Sequence, residues 1–484
     1  MDTGSRAWLR AMLDTEAALA RAVERAGLAP AGAGAAVTAV ATAAAATIDP
    51  AALGAAAALT GNPVPALVRE LTALVPPDAA SAVHRGATSQ DIIDTAAMLL
   101  ARQALEVITA DLAAAADSCA SLAAAHLDTL MIGRTLLQQA VPVTFGLVAA
   151  GWLTSLDEAQ DTVGRVLAQR LAIQFGGAAG TLASLGADGP RVAALLAAEL
   201  GLGCPVVPWH TDRLRIIDVG AACASASAAL AKIARDVTLL AQSEVGEARE
   251  GSPPRDDGQG PGDGVTGAVR PSAGSGPWGP GARPREDGVP PRADTGGVRR
   301  GGSSAMPHKQ NPVAAIAILG CTRRVPGLVA TLIAAAEQEY QRAAGAWHAE
   351  WEPFADLLRL TGSAASWGAE LARTLTVDPG RMRANLDAAR GLPLAEHVAG
   401  LLAPALGRVP AHDLVARGSA HAIAAGVPLQ EALLGVPELR QQLDAAGITP
   451  QQVGSALNPV GYLGAARQFT EAALAAHTRC GATG

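Results

Sequence analysis

The chain has 484 residues, of which 50% are hydrophobic and only 3% are aromatic, and its length corresponds to about three domains. With so few aromatic side chains, the cores must be built from aliphatic residues and close backbone approach, which favours helices packed on helices over a β-sandwich. The formal net charge of −7 provides no basic field for a phosphate backbone, which argues against a nucleic-acid partner.

Five segments carry apolar residues at helical spacing, and most of them are about thirty residues long or more. Several long helices rich in Ala, Gly and Ser predict a long bundle whose axes approach closely. No strand-like alternation is strong enough to predict a sheet. The five predicted helices cover residues 7–27, 91–126, 143–171, 216–250 and 312–342.

Two segments differ from these helices in composition. Residues 30–48 carry no charge, but they are mostly Ala and Gly, which insert weakly into bilayers, so we expect no membrane partner. Residues 251–301 are rich in Gly and Pro, with Trp278 as the one large apolar side chain. Such a segment buries too little surface to offset its ordering entropy, so the sequence predicts a disordered insert there.

The first pointer to a functional site is the use of lysine. Among 37 basic residues only Lys232 and Lys309 are lysine, and Asn311, one of four asparagines, lies two residues after Lys309. A chain so biased towards arginine retains lysine where a planar guanidinium cannot replace a compact ammonium group.

Residues 302–312 read GSSAMPHKQNP and match the pattern GSSxMPxKxNP. This is the signature of the fumarase/aspartase superfamily, which the chain therefore resembles. The resemblance implies that Ser303, Lys309 and Asn311 are catalytic and that Ser304 and Met306 bind substrate. The alternative is an ordinary Gly/Ser helix start with a lysine on the surface.

The chemistry of that superfamily explains these residue types. Its reactions make or break a bond β to a carboxylate through a carbanion whose charge spreads onto that carboxylate. The resulting enediolate needs a compact cation and amide donors, which Lys309 and Asn311 supply. A free serine hydroxyl is a poor base, so Ser303 must be activated by surrounding N–H groups and by Lys309.

Residues 84–96, HRGATSQDIIDTA, resemble the superfamily segment HxGxTSxDxxDTA. The resemblance implies that Thr88 and Ser89, at a helix N-terminus, bind a substrate carboxylate, a role that free amides and hydroxyls also favour. His84 is expected to hold a carboxylate as well. For Asp91 and Asp94 an ordinary place in the first turn of a helix is the alternative.

Residues 133–142, GRTLLQQAVP, resemble GRTHxQxAxP, and Arg134, Thr135, Gln138 and Gln139 are expected to bind substrate. Leu136 replaces a histidine that transfers protons in the superfamily. Amine and water are poor leaving groups that need a general acid, whereas a carboxylate with a pKa near ~4 reacts without one. The replacement therefore disfavours adenylosuccinate or fumarate chemistry and favours lactone formation.

Two observations leave assignments open. In one branch of the superfamily, the cycloisomerases, several members carry histidine at the position of Gln139. The general acid and the general base of the reaction are therefore not assigned. His210 and Arg213, within WHTDR at 209–213, resemble a superfamily segment near the substrate. Arg213 could bind a carboxylate bidentately, and an internal ion pair is the alternative.

Three further segments resemble the 3-carboxy-cis,cis-muconate cycloisomerase branch of the superfamily: residues 7–21, 174–181 and 343–352. This resemblance implies closure of a small polycarboxylate to 4-carboxymuconolactone in protocatechuate breakdown. The implied reaction needs no cofactor and no metal. A related lyase such as adenylosuccinate lyase, or a non-catalytic homologue, is the alternative.

The resemblance also implies the architecture. We expect an all-α fold with an N-terminal helical domain at 1–103, a central bundle at 104–353 that contains the disordered insert at about 251–301, and a C-terminal helical domain at 354–484. A homotetramer with active sites shared between subunits is expected. The five cysteines are dispersed without CxxC or zinc-ligand spacing, which indicates reduced thiols in the cytoplasm.

Overall fold

The structure is a computed structural model that describes residues 3–251, 301–302, 306 and 309–481, with side chains as far as residue 479. Most of the expected insert, residues 252–300, therefore lies outside the described residues. So do Ser303 and Ser304 of the signature, whose predicted roles the structure does not address.

The N-terminal part contains four helices, and the first of them lies in the main apolar core. Helix α1 packs against α2 and against the start of the long helix that follows. The prediction for residues 7–27 is confirmed within two residues at each end. The four helices are α1 (Ser5–Arg25), α2 (Ala33–Thr47), α3 (Pro50–Thr60) and α4 (Val64–Leu74).

The centre of the molecule is a bundle of long helices, which confirms the predicted all-α fold. Helix α5 has 37 residues and is therefore about 55 Å long at ~1.5 Å per residue. It packs against α6 and α12, while α8 packs against α6 and α9. The helices of this part are α5 (Ser89–Ala125), α6 (Phe145–Gln169), α7 (Gly189–Leu200), α8 (Leu214–Leu240), α9 (Val313–Thr322), α10 (Val325–Ala334), α11 (Ala346–Ala349) and α12 (Trp351–Thr374).

The C-terminal part forms a second, smaller apolar core, built by residues between Val398 and Ala456. The last helix leaves this core and packs back on α6 and α5. The predicted domain boundaries stay a prediction; the first lies within α5 and the second within α12. The helices are α13 (Pro379–Ala388), α14 (Ala395–Leu406), α15 (Arg408–Ala425), α16 (Leu429–Gly435), α17 (Pro437–Ala445), α18 (Pro450–Ala456) and α19 (Ala466–Gly481).

Two small antiparallel sheets interrupt the helices, at places where the sequence predicted no strand. Strands β1 (Leu130–Thr135) and β2 (Gln138–Thr144) form a hairpin, and β3 (Ala248–Glu250) pairs with β4 (Leu375–Val377). These strands have three to seven residues, too few for a clear alternating pattern. The turn of the β1–β2 hairpin, Leu136–Leu137, lacks the Asn-Gly type of signal that marks a hairpin in a sequence.

Two predicted helices are shorter than expected. The helix predicted over 216–250 ends at Leu240, and the chain turns back before β3. The helix predicted over 312–342 is divided between α9 and α10 near Arg324. Pro326 lies in the first turn of α10, where its missing N–H costs no helical hydrogen bond.

Among the residues that the structure describes, three runs of helix are long and apolar enough to cross a membrane by length and composition, or four if the bent pair α2 and α3 counts as one. In the most apolar stretch of each run, the buried share within the single chain is 33% in α5, 56% in α8 and 28% in the α9–α10 run. Much apolar surface on the bundle is therefore uncovered in one copy. The three runs are Ser89–Ala125, Leu214–Leu240 and Val313–Ala334.

The close approach of α6 to the end of α5 leads to a stability prediction. A Cβ on Gly146 would lie 2.8 Å from the His126 carbonyl oxygen and 2.8 Å from the Leu127 Cα, both backbone atoms. We expect Gly146→Ala to cost about 1–3 kcal/mol of stability, because the backbone must shift. The matched variant Gly151→Ala, on the same helix with nothing within 4 Å, should gain about 0.5–1 kcal/mol. Thermal unfolding of both variants tests this, and equal midpoints would contradict it.

Candidate active site

The predicted site residues that the structure describes lie at two ends of the bundle. Helix α8 follows Arg213 directly and has 27 residues, so Arg213 and the segment after α8 are separated by about 40 Å. The start of α5 lies at the Arg213 end, which we call the first end. The β1–β2 hairpin follows the other terminus of α5, and we call that the hairpin end.

At the first end, α5 begins with a capping box. The Asp91 carboxylate accepts the Thr88 backbone N–H at 2.9 Å, and the Thr88 side chain caps the first turn in return. Ser89 is the first residue of the helix, and both Thr88 and Ser89 are half-buried. The first N–H groups of α5 are therefore at a place where a carboxylate could reach them.

Asp91 joins three separate segments of the chain. Its buried carboxylate accepts the backbone N–H groups of Gly176 at 3.0 Å and Gly177 at 2.9 Å, and it lies 2.6 Å from His210 Nε2. A Cβ on Gly176 would be 2.6 Å from His210 Cε1, so only glycine allows this approach. Asp91 thus fixes the turn at 174–181 and orients the His210 ring, whose Nε2 it occupies.

His84 is held by a carboxylate that the sequence reasoning did not include. Glu16, fully buried on α1, accepts the His84 backbone N–H at 3.0 Å and lies 2.7 Å from His84 Nδ1. Burial alone would lower the pKa of His84, but the hydrogen bond and charge of Glu16, together with the charge of Asp91, outweigh it and raise the pKa. One signal was present: Glu16 lies on the apolar stripe of α1, between Met12 and Leu19.

Arg213 is in the internal ion-pair arrangement that the sequence left as the alternative. Its guanidinium binds Asp94 at 2.8 and 3.0 Å and Glu350 at 2.7 to 3.1 Å, and all three side chains are buried. Trp347 Nε1 donates to Asp94 at 3.0 Å. Burial raises the pKa of Glu350, although Arg213 partly counteracts this effect. The group ties α5, α8 and α12 together at the first end.

At the hairpin end, Arg134 forms a bidentate pair with the buried Glu247, with both N···O distances at 2.8 Å. Asn385, on α13, donates to the same carboxylate at 2.7 Å. Neither Glu247 nor Asn385 was predicted from the sequence. The remaining predicted residues of the hairpin, Thr135, Gln138 and Gln139, are exposed on its strands.

The tip of the hairpin is apolar and strained. Leu136 and Leu137 have φ values of 49° and 64° and are 96% and 72% exposed. Leucine in this left-handed region is uncommon, since its Cβ is crowded by the backbone. The position of the superfamily histidine is therefore at an exposed turn in a single chain.

The signature loop is closed at its base by Asn311. The Gly301 carbonyl accepts the Asn311 backbone N–H at 2.8 Å and its Nδ2 at 3.1 Å. Gly302 forms an antiparallel bridge with Gln310. Lys309 is exposed, as is Met306.

The loop belongs to the hairpin end because of Glu250. Glu250 is the last residue of β3, the strand that begins directly after Glu247. Its carboxylate accepts the Ala314 and Ala315 N–H groups at 2.9 and 2.8 Å. It thereby holds the first turn of α9, directly after the signature.

One chain therefore brings the predicted residues together in two groups. Among the described residues, no group of three His, Cys, Asp or Glu side chains could hold a metal ion. The first end holds His84, Thr88, Ser89, His210 and Arg213; the hairpin end holds Arg134, Thr135, Gln138, Gln139, Met306, Lys309 and Asn311.

Comparisons with known proteins identify the family of the chain. Residues 3–259 match the sequence model of a family described as lyase. The chain is 42% identical over 473 residues to 3-carboxy-cis,cis-muconate cycloisomerase of Bradyrhizobium diazoefficiens, which covers 97% of this chain and 93% of that protein. It is also 42% identical over 479 residues to nitrosuccinate lyase of Streptomyces davaonensis, with 97% and 90% coverage.

A solved structure is also similar to this chain over nearly its whole length. The crystal structure of 3-carboxy-cis,cis-muconate lactonizing enzyme from Pseudomonas putida has a TM-score of 0.81 and 37% sequence identity to this chain. The match covers 98% of this chain and 96% of that one.

The buried group around Arg213 leads to a second prediction. Arg213→Met leaves Asp94 and Glu350 buried without their cation, and we expect a loss of about 3–5 kcal/mol. The pKa of Glu350, already raised by burial, should rise further. The folded variant then binds a proton at Glu350 more tightly than the unfolded chain does. The stability that the variant loses relative to wild type should therefore become smaller as the pH falls towards the pKa of Glu350.

The matched control is Arg324→Met, which removes an arginine whose pair with Asp356 is substantially exposed. It should cost less than about 1 kcal/mol at any pH. Urea unfolding of both variants at several pH values measures the difference. Equal losses in the two variants would contradict the assigned role of Arg213.

Proposed function

The chain belongs to the lyase family that includes the 3-carboxy-cis,cis-muconate cycloisomerases, and we propose that it converts 3-carboxy-cis,cis-muconate to 4-carboxymuconolactone. The observation that carries the proposal is the similarity to these enzymes over nearly the whole chain, joined to an intact signature with Lys309 and Asn311. The adenylosuccinate alternative lacks such support, because the histidine that would assist amine release is replaced by Leu136.

The proposed reaction is an intramolecular addition. A carboxylate oxygen of the substrate attacks an alkene carbon and forms the ring C–O bond. The electron pair of the double bond moves to the neighbouring α-carbon and spreads onto its carboxylate as an enediolate. Ser303 delivers one proton to that carbon and regains a proton from solvent. The ionised lactone therefore carries one proton more than the ionised substrate, and the two are isomers as free acids.

Lys309 and Asn311 have different parts in this step. The Lys309 ammonium, at the end of the signature loop, is the compact cation that stabilises the charge that develops on the carboxylate. Asn311 donates both its backbone N–H and its Nδ2 to Gly301, so in this structure it holds the loop in place. One Nδ2 hydrogen of Asn311 is used in the bond to Gly301, and the second is the donor that the proposal assigns to the enediolate.

A second candidate is elimination from nitrosuccinate. Two observations favour it: the identity to nitrosuccinate lyase, and Leu136 at the hairpin tip. The nitro group would leave as nitrite, a weak base that needs no general acid. Formation of nitrite and a conjugated dicarboxylate from nitrosuccinate would identify this activity. Loss of the diene absorbance of 3-carboxy-cis,cis-muconate would identify the first.

We further propose that the active site is assembled from several copies of the chain, as a homotetramer. The first end and the hairpin end are about 40 Å apart along α8. A substrate of the size of a muconate cannot reach both ends of one chain. A neighbouring copy, placed antiparallel in the bundle, would bring its hairpin end to the first end.

The surface of the bundle supports this assembly. In the most apolar stretches of α5 and of the α9–α10 run, most residues are not buried within one chain. Ile316 and Ile333, on α9 and α10, are about half exposed. Other copies of the chain are the occupants that would bury this surface and complete the site together.

We also place the enzyme in the cytoplasm. The four cysteines whose side chains the structure describes are free, and burial raises the pKa of the Cys119 and Cys223 thiols to about 12. Such thiols are inert, as expected of structural cysteines in a reducing compartment.

The two lysines provide a matched test of the activity. We expect the wild-type enzyme to remove the ultraviolet absorbance of 3-carboxy-cis,cis-muconate. Lys309→Arg should lower kcat by about 10²–10³-fold, since a planar guanidinium does not replace the ammonium at the enediolate. Lys232→Arg, at an exposed pair with Asp236 on α8, should leave kcat unchanged. Equal turnover by the two variants would contradict the role of Lys309.

Mixed tetramers test the shared site. Ser89→Glu places a negative charge at the start of α5, where it favours the helix but repels a substrate carboxylate. Ser89→Glu should be inactive, and Lys309→Arg should retain only the low turnover given above. If a site combines the first end of one copy with the hairpin end of another, co-expression of the two variants should restore part of the activity. Tetramers of mixed composition that stay inactive would show that each chain forms its own site.

A further inference from the structure

Glu16 is a fully buried carboxylate with no role in the reaction as proposed. It lies on α1, 68 residues before His84, and both of its oxygens contact that residue. One accepts the His84 backbone N–H and the other binds ring Nδ1. Because His84 has a φ of 54°, the backbone contact also stabilises a conformation that is uncommon for a histidine.

The contact with Glu16 determines which ring atom is available to a ligand. A carboxylate only accepts hydrogen bonds, so Nδ1 of His84 must donate to Glu16. The remaining ring nitrogen, Nε2, then carries a lone pair when the ring is neutral. Nε2 can donate to a substrate carboxylate only after the ring has taken up a second proton.

The charges that face His84 favour this second proton. Glu16 on α1 and Asp91 on α5 are the charged groups that act on the ring. Their negative charges raise the pKa of His84 in spite of its burial. The ring side chain retains about a fifth of its surface exposed, so Nε2 can be reached from outside.

We propose that Glu16 is a positioning residue that couples the binding of a substrate carboxylate at His84 to the uptake of a proton. The inference rests on the proposed function for the nature of the substrate, a polycarboxylate. The protonated ring binds a carboxylate, and the neutral ring presents a lone pair that repels it. Substrate affinity should therefore fall as the pH rises through the His84 pKa, while kcat stays nearly constant.

The experiment measures the His84 ring and ligand affinity separately. The exchange of the imidazole C2 hydrogen with deuterium, followed by mass spectrometry on the peptide that contains His84, gives its titration midpoint without substrate. Calorimetry with propane-1,2,3-tricarboxylate, a saturated tricarboxylate, gives the dissociation constant and the protons taken up on binding. The KM for 3-carboxy-cis,cis-muconate is measured over the same pH range.

Glu16→Gln removes the charge and keeps the shape of the side chain. We expect the His84 midpoint to fall by about one pH unit or more. Between the two midpoints, the dissociation constant and KM should rise about tenfold, with kcat within about twofold of wild type. Glu16→Asp, which retains the charge, should recover most of the loss.

The matched control is Asp157→Asn. His477 on α19 lies between Asp157 and Asp117, each about 3.0 Å from one ring nitrogen, and its pKa is also raised against the effect of burial. These three residues lie on the flank of α5 and α6, and Asp117 is 28 residues, or about 42 Å, along α5 from Ser89 at the first end. The variant should lower the His477 midpoint and leave His84, the dissociation constant and KM unchanged.

Three results would overturn the proposal. The first is a His84 midpoint that is the same in wild type and Glu16→Gln. The second is a wild-type dissociation constant for the tricarboxylate that does not change across the His84 midpoint, which requires no variant to fold. The third is absence of tricarboxylate binding at every pH. Failure of the proposed function gives a different result: the tricarboxylate binds with proton uptake, but 3-carboxy-cis,cis-muconate is not consumed.

Discussion

The arrangement of the first end depends on one buried cation, the Arg213 guanidinium, held between Asp94 and Glu350. The three residues belong to the starts of α5, α8 and α12, so a single group fixes the relative positions of three long helices. Two buried carboxylates without this cation would repel each other, and the cation alone would lose its hydration. The group therefore specifies one alignment of the helices, and the capping box of α5 and the turn held by Asp91 lie directly beside it.

The same construction recurs at two other basic residues of the motifs. His84 is backed by Glu16, and Arg134 by Glu247; like Glu350 behind Arg213, both carboxylates are almost completely buried. Each glutamate comes from a segment far away in sequence. A buried carboxylate restricts the rotamer of a long side chain and keeps it charged, which prepares it to meet an anion without further ordering. The guanidinium groups of Arg134 and Arg213 donate hydrogen bonds to carboxylates of the same chain, whereas His84 keeps one ring nitrogen available to a ligand.

Much of this was visible in the sequence, and the missing part has a physical reason. The long helices follow from apolar spacing, and the motif around Thr88 follows from capping chemistry, because both depend on neighbours within a few residues. Glu16 and Glu247 act on residues 68 and 113 positions away, and only folding brings them there. The hairpin was missed since its strands are short and its turn has Leu136 where a hairpin usually has Asn or Gly. For Arg213 the sequence offered two roles, and burial distinguishes them.

The length of the helices has a consequence for catalysis. A bundle about 55 Å long keeps the start of α5, where we propose that a substrate carboxylate binds, far from Lys309 and Asn311, so one chain holds the predicted residues in two separate groups. In the proposed tetramer, the apolar surface that associates the subunits would also place the signature segment of one copy against the helix start of another. Assembly and formation of the site would then be the same event, which is why the proposal expects an isolated chain to lack activity.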